Sequence, residues 1–235
     1  MITLVLLPGM DGTGELFAPF IAALDGAFEV VVVRYPGDRA LGYEALEGIA
    51  REALPKDRPF VLLGESFSGP IAVSIAASAP PGLVGLVLCC SFVRNPLPAL
   101  RRLVWLVDGL PMRLAPVRLL GHLVLGRDST AALRDALVRS LGQVSPAALK
   151  ARLRAVLGVD VSAKLETVSV PVLCLRASRD RVVPRSAGAL VMRLAPRSQH
   201  VEIDASHFLL QGAPNDAARV VRQFASEGRR AQSTG

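Results

Sequence analysis

Six short runs rich in Val, Leu and Ile recur along this chain of 235 residues, at 2–7, 29–33, 60–63, 84–90, 172–176 and 201–204. None alternates strictly with polar residues, which is how strands covered on both faces of a parallel sheet look. Helical patterns, such as 43–54 and 68–78, lie between them. Strands alternating with helices make βαβ units with right-handed crossovers. The pattern predicts an α/β fold, a six-stranded, mainly parallel sheet flanked by helices.

That rhythm breaks between the fourth and fifth strands. From 95 to 164 no good strand appears, and Pro96, Pro98, Pro111, Pro116 and Pro146 punctuate amphipathic pieces. Over 129–141 one stripe carries Leu133, Leu137 and Leu141. Ser145-Pro146 reads as an N-cap followed by proline at the first helical position, with Leu149, Leu153, Val156 and Leu157 as the apolar face behind it. The segment 95–164 is therefore predicted to be a helical cap inserted between the fourth and fifth strands. The core is then 1–94 with 165–228, and the polar residues 229–235 form a disordered tail.

The formal charge of +7 is concentrated in this insertion, where residues 93–164 hold twelve Lys or Arg against four Asp. A solvated helical surface accounts for such a cluster. The sharper reading is an anionic partner, either a substrate bearing carboxylate or phosphate or an acidic acyl-carrier protein. Only 5% of residues are aromatic, which argues against a surface that stacks bases, so no nucleic-acid partner is expected. No apolar run approaches the roughly 18 residues of a membrane span. The start, Met1 to Gly9, lacks a positive n-region and reads as a first strand, not a signal peptide. Cys89, Cys90 and Cys174 all lie in apolar runs, as buried free thiols of a reducing compartment do, so the expected location is the cytoplasm.

The chemistry concentrates in Gly64-Glu65-Ser66-Phe67-Ser68-Gly69, where a strand ends, a serine sits two residues on, and small residues lead into a helix. A nucleophile elbow needs small residues on both sides of its serine, because strand and helix approach closely there. Ser68 stands where glycine is usual, with Gly69 one place later. The bland reading is an ordinary Gly/Ser turn. A serine nucleophile needs a base, and the base an orienting carboxylate. Of three histidines, His122 falls in the insertion and His200 precedes the last strand. His207 follows that strand and emerges at the carboxyl edge with Ser66, where sites form in open α/β sheets, so His207 is the base by elimination. Asp180, after the fifth strand, is the chosen carboxylate, against Asp204 and Asp160; a turn-forming aspartate is the plain alternative.

The loop Pro8-Gly9-Met10-Asp11-Gly12-Thr13-Gly14 follows the first strand. In an acyl-transfer enzyme the Met10 N–H would pair with the Phe67 N–H to hold an oxyanion. A phosphate-binding loop is the competitor, but the glycine spacing is not G-x-G-x-x-G, and no acidic residue follows the second strand. No cofactor and no metal are expected.

With these motifs in the order Ser66, Asp180, His207, the chain resembles the α/β-hydrolase superfamily over nearly its full length. Within it the chain resembles the smaller capped serine esterases, including those acting on a pimeloyl-carrier methyl ester, many of which have His-Gly in place of Pro8-Gly9. The resemblance implies hydrolysis of an ester or thioester through an acyl-enzyme. An acyltransferase, a lactonase or a cofactor-free perhydrolase would use the same three residues. A ligand-binding relative with little turnover and a nucleotide-dependent oxidoreductase are the readings from other classes. Trp105, Arg134 and Arg154 in the cap are the substrate-binding candidates, with Trp105 and Met112 lining an apolar acyl pocket.

Overall fold

A computed structural model of the chain describes residues 2–99 and 124–233, with side chains through Glu227. Six strands, β1 (Thr3–Leu7), β2 (Glu29–Val32), β3 (Phe60–Glu65), β4 (Leu83–Cys89), β5 (Val172–Ala177) and β6 (Gln199–Ile203), form one sheet in the order β2-β1-β3-β4-β5-β6. Every neighbouring pair is parallel. All six carboxyl ends therefore lie on one edge. Chain direction across the sheet reverses between β1 and β3, the switch point where ligand crevices open in such sheets.

The continuous apolar runs are explained by two cores, one on each face. Val5, Leu7, Leu62, Leu86, Leu88 and Cys174 point to one face, where they meet α2 (Tyr43–Glu52), α3 (Gly69–Ala77) and α7 (Arg185–Leu194) through Leu46, Ile71, Ile75 and Val191. Leu4, Leu6, Val61, Leu63, Val87 and Leu173 point to the other, under α1 (Ala18–Ala23), α8 (Leu209–Gly212) and α9 (Pro214–Ser233), which contribute Phe20, Leu210, Val221 and Phe224. His200 proves to lie inside β6, not before it, because the strand begins at Gln199. The composition predicts a disordered tail over 229–235, yet α9 continues to Ser233. Ala, Arg and Gln propagate a helix well, and no proline follows Pro214 to stop it.

Between β4 and β5 the described residues are helical, in α4 (Ala131–Gly142), α5 (Pro146–Gly158) and α6 (Ser162–Glu166). Thr130 and Ser145 cap the first two, accepting from the N–H groups of Leu133 and Ala148 at 3.2 Å each. The ends of the segment meet as an antiparallel pair at Arg94 and Asp160, with Asn95 N–H donating to the Val159 carbonyl at 2.9 Å and Val161 N–H to that of Val93 at 2.8 Å. Trp105, Met112 and His122 lie outside the described residues.

α9 sits against β4 at a position with no room to spare. A Cβ on Gly85 would come within 2.9 Å of the Phe224 ring. Gly85→Ala is expected to lower unfolding stability by about 1–3 kcal/mol, the usual range for overpacking. Adding Phe224→Leu should recover part of that loss in urea denaturation. A Gly85→Ala protein as stable as its parent would show that the ring does not constrain the strand.

Candidate active site at the carboxyl edge

β3 runs into a 3-10 turn, Ser66–Ser68, that feeds α3 directly. Ser66 adopts φ +47°, the left-handed region that residues with a Cβ rarely enter. The approach of strand to helix is close enough that a Cβ on Gly64 would lie 2.8 Å from the Ala72 Cβ, and one on Gly69 would overlap Ser91 Oγ. Ser91 Oγ in turn donates to the Ser66 carbonyl at 2.5 Å. Ser68, fully buried where glycine is usual, is accommodated because its hydroxyl has partners: it donates to the Pro8 carbonyl and lies 2.9 Å from Tyr35 Oη. Tyr43 stacks on the Phe67 ring at 4.7 Å and donates its hydroxyl to the Phe67 carbonyl at 3.0 Å.

The turn aims Ser66 Oγ at the loop after β6, where His207 Nε2 lies 2.9 Å away. On the far side of the ring, Nδ1 lies 2.8 Å from Asp180 Oδ2. Asp180 Oδ1 is occupied by the N–H groups of Val182 and Val183 at 2.8 and 2.9 Å, which orients the carboxylate toward the ring. Burial opposes the Asp180 charge, but the hydrogen bond and charge of His207, with the two N–H groups, outweigh it and hold the carboxyl below its usual range. Both side chains are buried, His207 at 4% exposure and Asp180 at 6%. The arrangement can relay a proton: a carboxylate on Nδ1 fixes the tautomer whose Nε2 accepts from the serine.

The two rival carboxylates lie elsewhere. Asp204 pairs with Arg179 and accepts from Ser178 Oγ at 2.9 Å, and Asp160 accepts from the Ser162 N–H at 3.0 Å. Arg134 and Arg154 are exposed on α4 and α5; Arg134 donates to Ser129 Oγ at 3.0 Å, and the serine–histidine–aspartate hydrogen bonds run to neither arginine. Two residues outside the sequence candidates bear on the site. Arg152, from the basic cluster of the insertion, has no solvent exposure, so for it the solvated-surface reading is wrong. Asp128 accepts from the Ser206 N–H at 2.5 Å and pairs with Arg179 at 2.8 Å, gripping the histidine loop. Among the described residues, Cys90, Asp180 and His207 place donor atoms within 4.8 Å of one another, the arrangement closest to a metal-binding set, and it shares two members with the serine chain.

Comparison with known proteins places these features in context. Residues 4–223 match the model of the alpha/beta hydrolase family. The phytyl ester synthase 1 of Arabidopsis thaliana chloroplasts is 35% identical over 104 residues, 40% of this chain but 15% of that much longer protein. The pimeloyl-(acyl-carrier protein) methyl ester esterase of Xanthomonas axonopodis pv. citri is 27% identical over 241 residues, 94% of each chain. The crystal structure of the enol-lactonase from Burkholderia xenovorans LB400 superposes with a TM-score of 0.79 at 20% identity, covering 96% of this chain and 91% of that one.

Glu65, immediately before Ser66, gives the site a pH signature. Its carboxyl is buried, accepts from Gln211 Nε2 at 2.9 Å, and is pushed up to about 7, chiefly by desolvation. A glutamate whose pKa rises from 4.5 to about 7 on folding holds its proton longer in the folded state, so stability falls as pH climbs through that window. The loss is on the order of 3 kcal/mol. The depressed Asp180 acts below this window, losing stability as pH falls through its folded value. Among the described residues Gln211 Oε1 lacks a partner, so a flipped Gln211 can accept from an amide at position 65. Glu65→Gln should therefore abolish the decline in thermal stability between about pH 5 and 7.5. Identical pH profiles for variant and parent would show that Glu65 stays ionised in the fold.

Proposed function

The chain belongs to the alpha/beta hydrolase family, and we propose that within it the chain is a serine hydrolase cleaving a carboxylic ester or thioester through an acyl-enzyme. The observation that carries this reading is the hydrogen-bonded chain Ser66–His207–Asp180, with its serine held on a left-handed turn at the sheet's carboxyl edge. His207 Nε2 takes the Ser66 proton as Oγ attacks the acyl carbon, and Asp180 stabilises the imidazolium that forms. The N–H groups of Met10 and Phe67 receive the developing oxyanion. His207 then gives its proton to the departing alcohol or thiol, and water repeats the sequence on the acyl-enzyme.

The segment 95–164, through its described helices α4, α5 and α6, acts as the cap in this reading. Arg134 and Arg154, both exposed on it, favour an anionic acyl substrate, including one carried on an acidic protein, as the name of the Xanthomonas relative describes for that enzyme. The cytoplasm is the proposed location; among the described residues no helix is long and apolar enough to cross a membrane.

Ser66→Ala is expected to abolish turnover of p-nitrophenyl esters while leaving the thermal transition in place, and a fluorophosphonate should label the parent once, at Ser66. Asp180→Asn should cut kcat by several orders of magnitude, with Asp204→Asn far milder. Labelling at another residue, or Ser66→Ala activity within tenfold of the parent, would remove the mechanism. If charge reversal at Arg134 and Arg154 leaves the salt dependence of kcat/KM for an anionic ester unchanged, the cap's charge has no part in recruitment.

A further inference from the structure

The backbone of the loop after β1 can be accounted for carbonyl by carbonyl from Pro8 to Gly12. The Pro8 carbonyl accepts from Ser68 Oγ. The Gly9 carbonyl accepts from the Gly12 N–H at 3.1 Å, and that of Gly12 from the Tyr35 N–H at 2.8 Å. The two between them, Met10 and Asp11, accept from one atom, Nη1 of Arg152, at 2.7 and 2.8 Å. Nη2 of the same guanidinium donates to the Pro36 carbonyl at 3.0 Å. Peptide planes are trans here, so N–H and C=O of one unit point opposite ways. With the Gly9 carbonyl turned inward to Gly12, the N–H of that same peptide, Met10's, faces the other side. Arg152 then fixes the next two peptides, so the plane bearing the Met10 N–H is bounded by held neighbours.

Arg152 belongs to α5, outside the sheet and its loops. Its inward stripe is Ala148, Arg152 and Val156, all buried. A Cβ on Gly12 would come within 2.7 Å of Nη1, so the loop is shaped to receive the guanidinium. The cation lies above Tyr35 at 5.9 Å, donates its hydrogen bonds to carbonyl oxygens with the Asp11 charge nearby, and among the described residues its Nε has no partner. A buried charge placed this way is a costly means of packing two segments together. Its fork geometry, however, suits holding several carbonyls at once.

We propose that Arg152 is a positioning residue for the oxyanion site, setting the Met10 N–H through the Met10 and Asp11 carbonyls from the inserted helix. This rests on the serine-hydrolase reading above. A donor misplaced by about 1 Å weakens the transition state more than the bound substrate, with losses of order 100-fold.

The experiment compares the parent, Arg152→Lys and Arg152→Met on a p-nitrophenyl ester, with rates expressed per site labelled by a fluorophosphonate so that unfolded protein does not count. The expected result for Arg152→Met is a fall of about 10–100-fold in kcat with KM within threefold. A boronic acid that mimics the tetrahedral intermediate should lose affinity by a similar factor. Arg152→Lys, which keeps the charge but not the fork, should fall between the two. It reads the same quantities should Arg152→Met fail to fold. Millimolar guanidinium should raise kcat of Arg152→Ala. A kcat per labelled site within threefold of the parent in the folded variants, or a loss expressed in KM alone, overturns the proposal and leaves Arg152 a packing residue. A parent that neither turns over esters nor labels at Ser66 removes the serine-hydrolase reading itself, a failure visible before any Arg152 variant is made.

Discussion

An L-residue at φ +47° carries strain of about 1–3 kcal/mol, and the surrounding structure must over-determine it. Ser66 is held by contacts on every side. Gly64 and Gly69 let strand and helix close on it, Ser91 clamps its carbonyl, and Tyr43 fixes the peptide that follows. The parallel sheet then supplies the remaining groups at no topological cost, since every strand ends on the same edge. The loop after β1 lies beside the turn because β1 and β3 are neighbours, and β5 and β6 bring Asp180 and His207 from the other side. The 2.9 Å contact between Ser66 Oγ and His207 Nε2 is made from this left-handed conformation.

Much of this was legible in the sequence because it rests on local chemistry. Strands buried on two faces print as unbroken apolar runs, and the Gly64-Glu65-Ser66-Phe67-Ser68-Gly69 segment carries its own steric demands. His207 was chosen by the rule that groups meeting at one edge must come after strands, whereas Asp180, which shares that placement with Asp204, was preferred for the residue order of the family the chain resembles. The strand ends, by contrast, shifted by one or two residues: at β6 Gln199 and His200 are exposed and polar, and elsewhere flanking residues such as Ile2, Val33 and Cys90 are as buried as the strands they adjoin. Ser68 read as a flaw, since sequence alone does not show a hydroxyl sandwiched between Tyr35 and the Pro8 carbonyl.

Arg152 was missed for a different reason. In a segment with twelve basic residues, one more arginine carries no signal by composition. Its burial depends on how the helix is turned: the buried stripe runs through 148, 152 and 156, offset from the expected face of Leu149 and Leu153, which are only half-buried, while Arg154 faces outward. A charge on the buried stripe calls for buried partners, and backbone carbonyls of a distant loop are partners that no local pattern reveals. Glu65 is similar, a carboxylate at the end of a wholly buried strand whose partner, Gln211, comes from α8.

The helices between β4 and β5 consequently do more than cover the edge. On one side Ser140 of α4 donates to Asp11 Oδ2 at 2.7 Å and Arg152 of α5 holds the neighbouring carbonyls; on the other, Asp128 ties down the Ser206 N–H in the loop that carries His207. Both ties go to backbone or buried polar groups, which pay a desolvation penalty if the partner is withdrawn. A lid that swung clear as a rigid body would leave the Met10, Asp11 and Pro36 carbonyls and the Ser206 N–H unpaired at once. The same division separates two kinds of position on α5: its inward stripe of Ala148, Arg152 and Val156 is bound to the geometry of the loop after β1, whereas outward positions such as Arg154 are exposed.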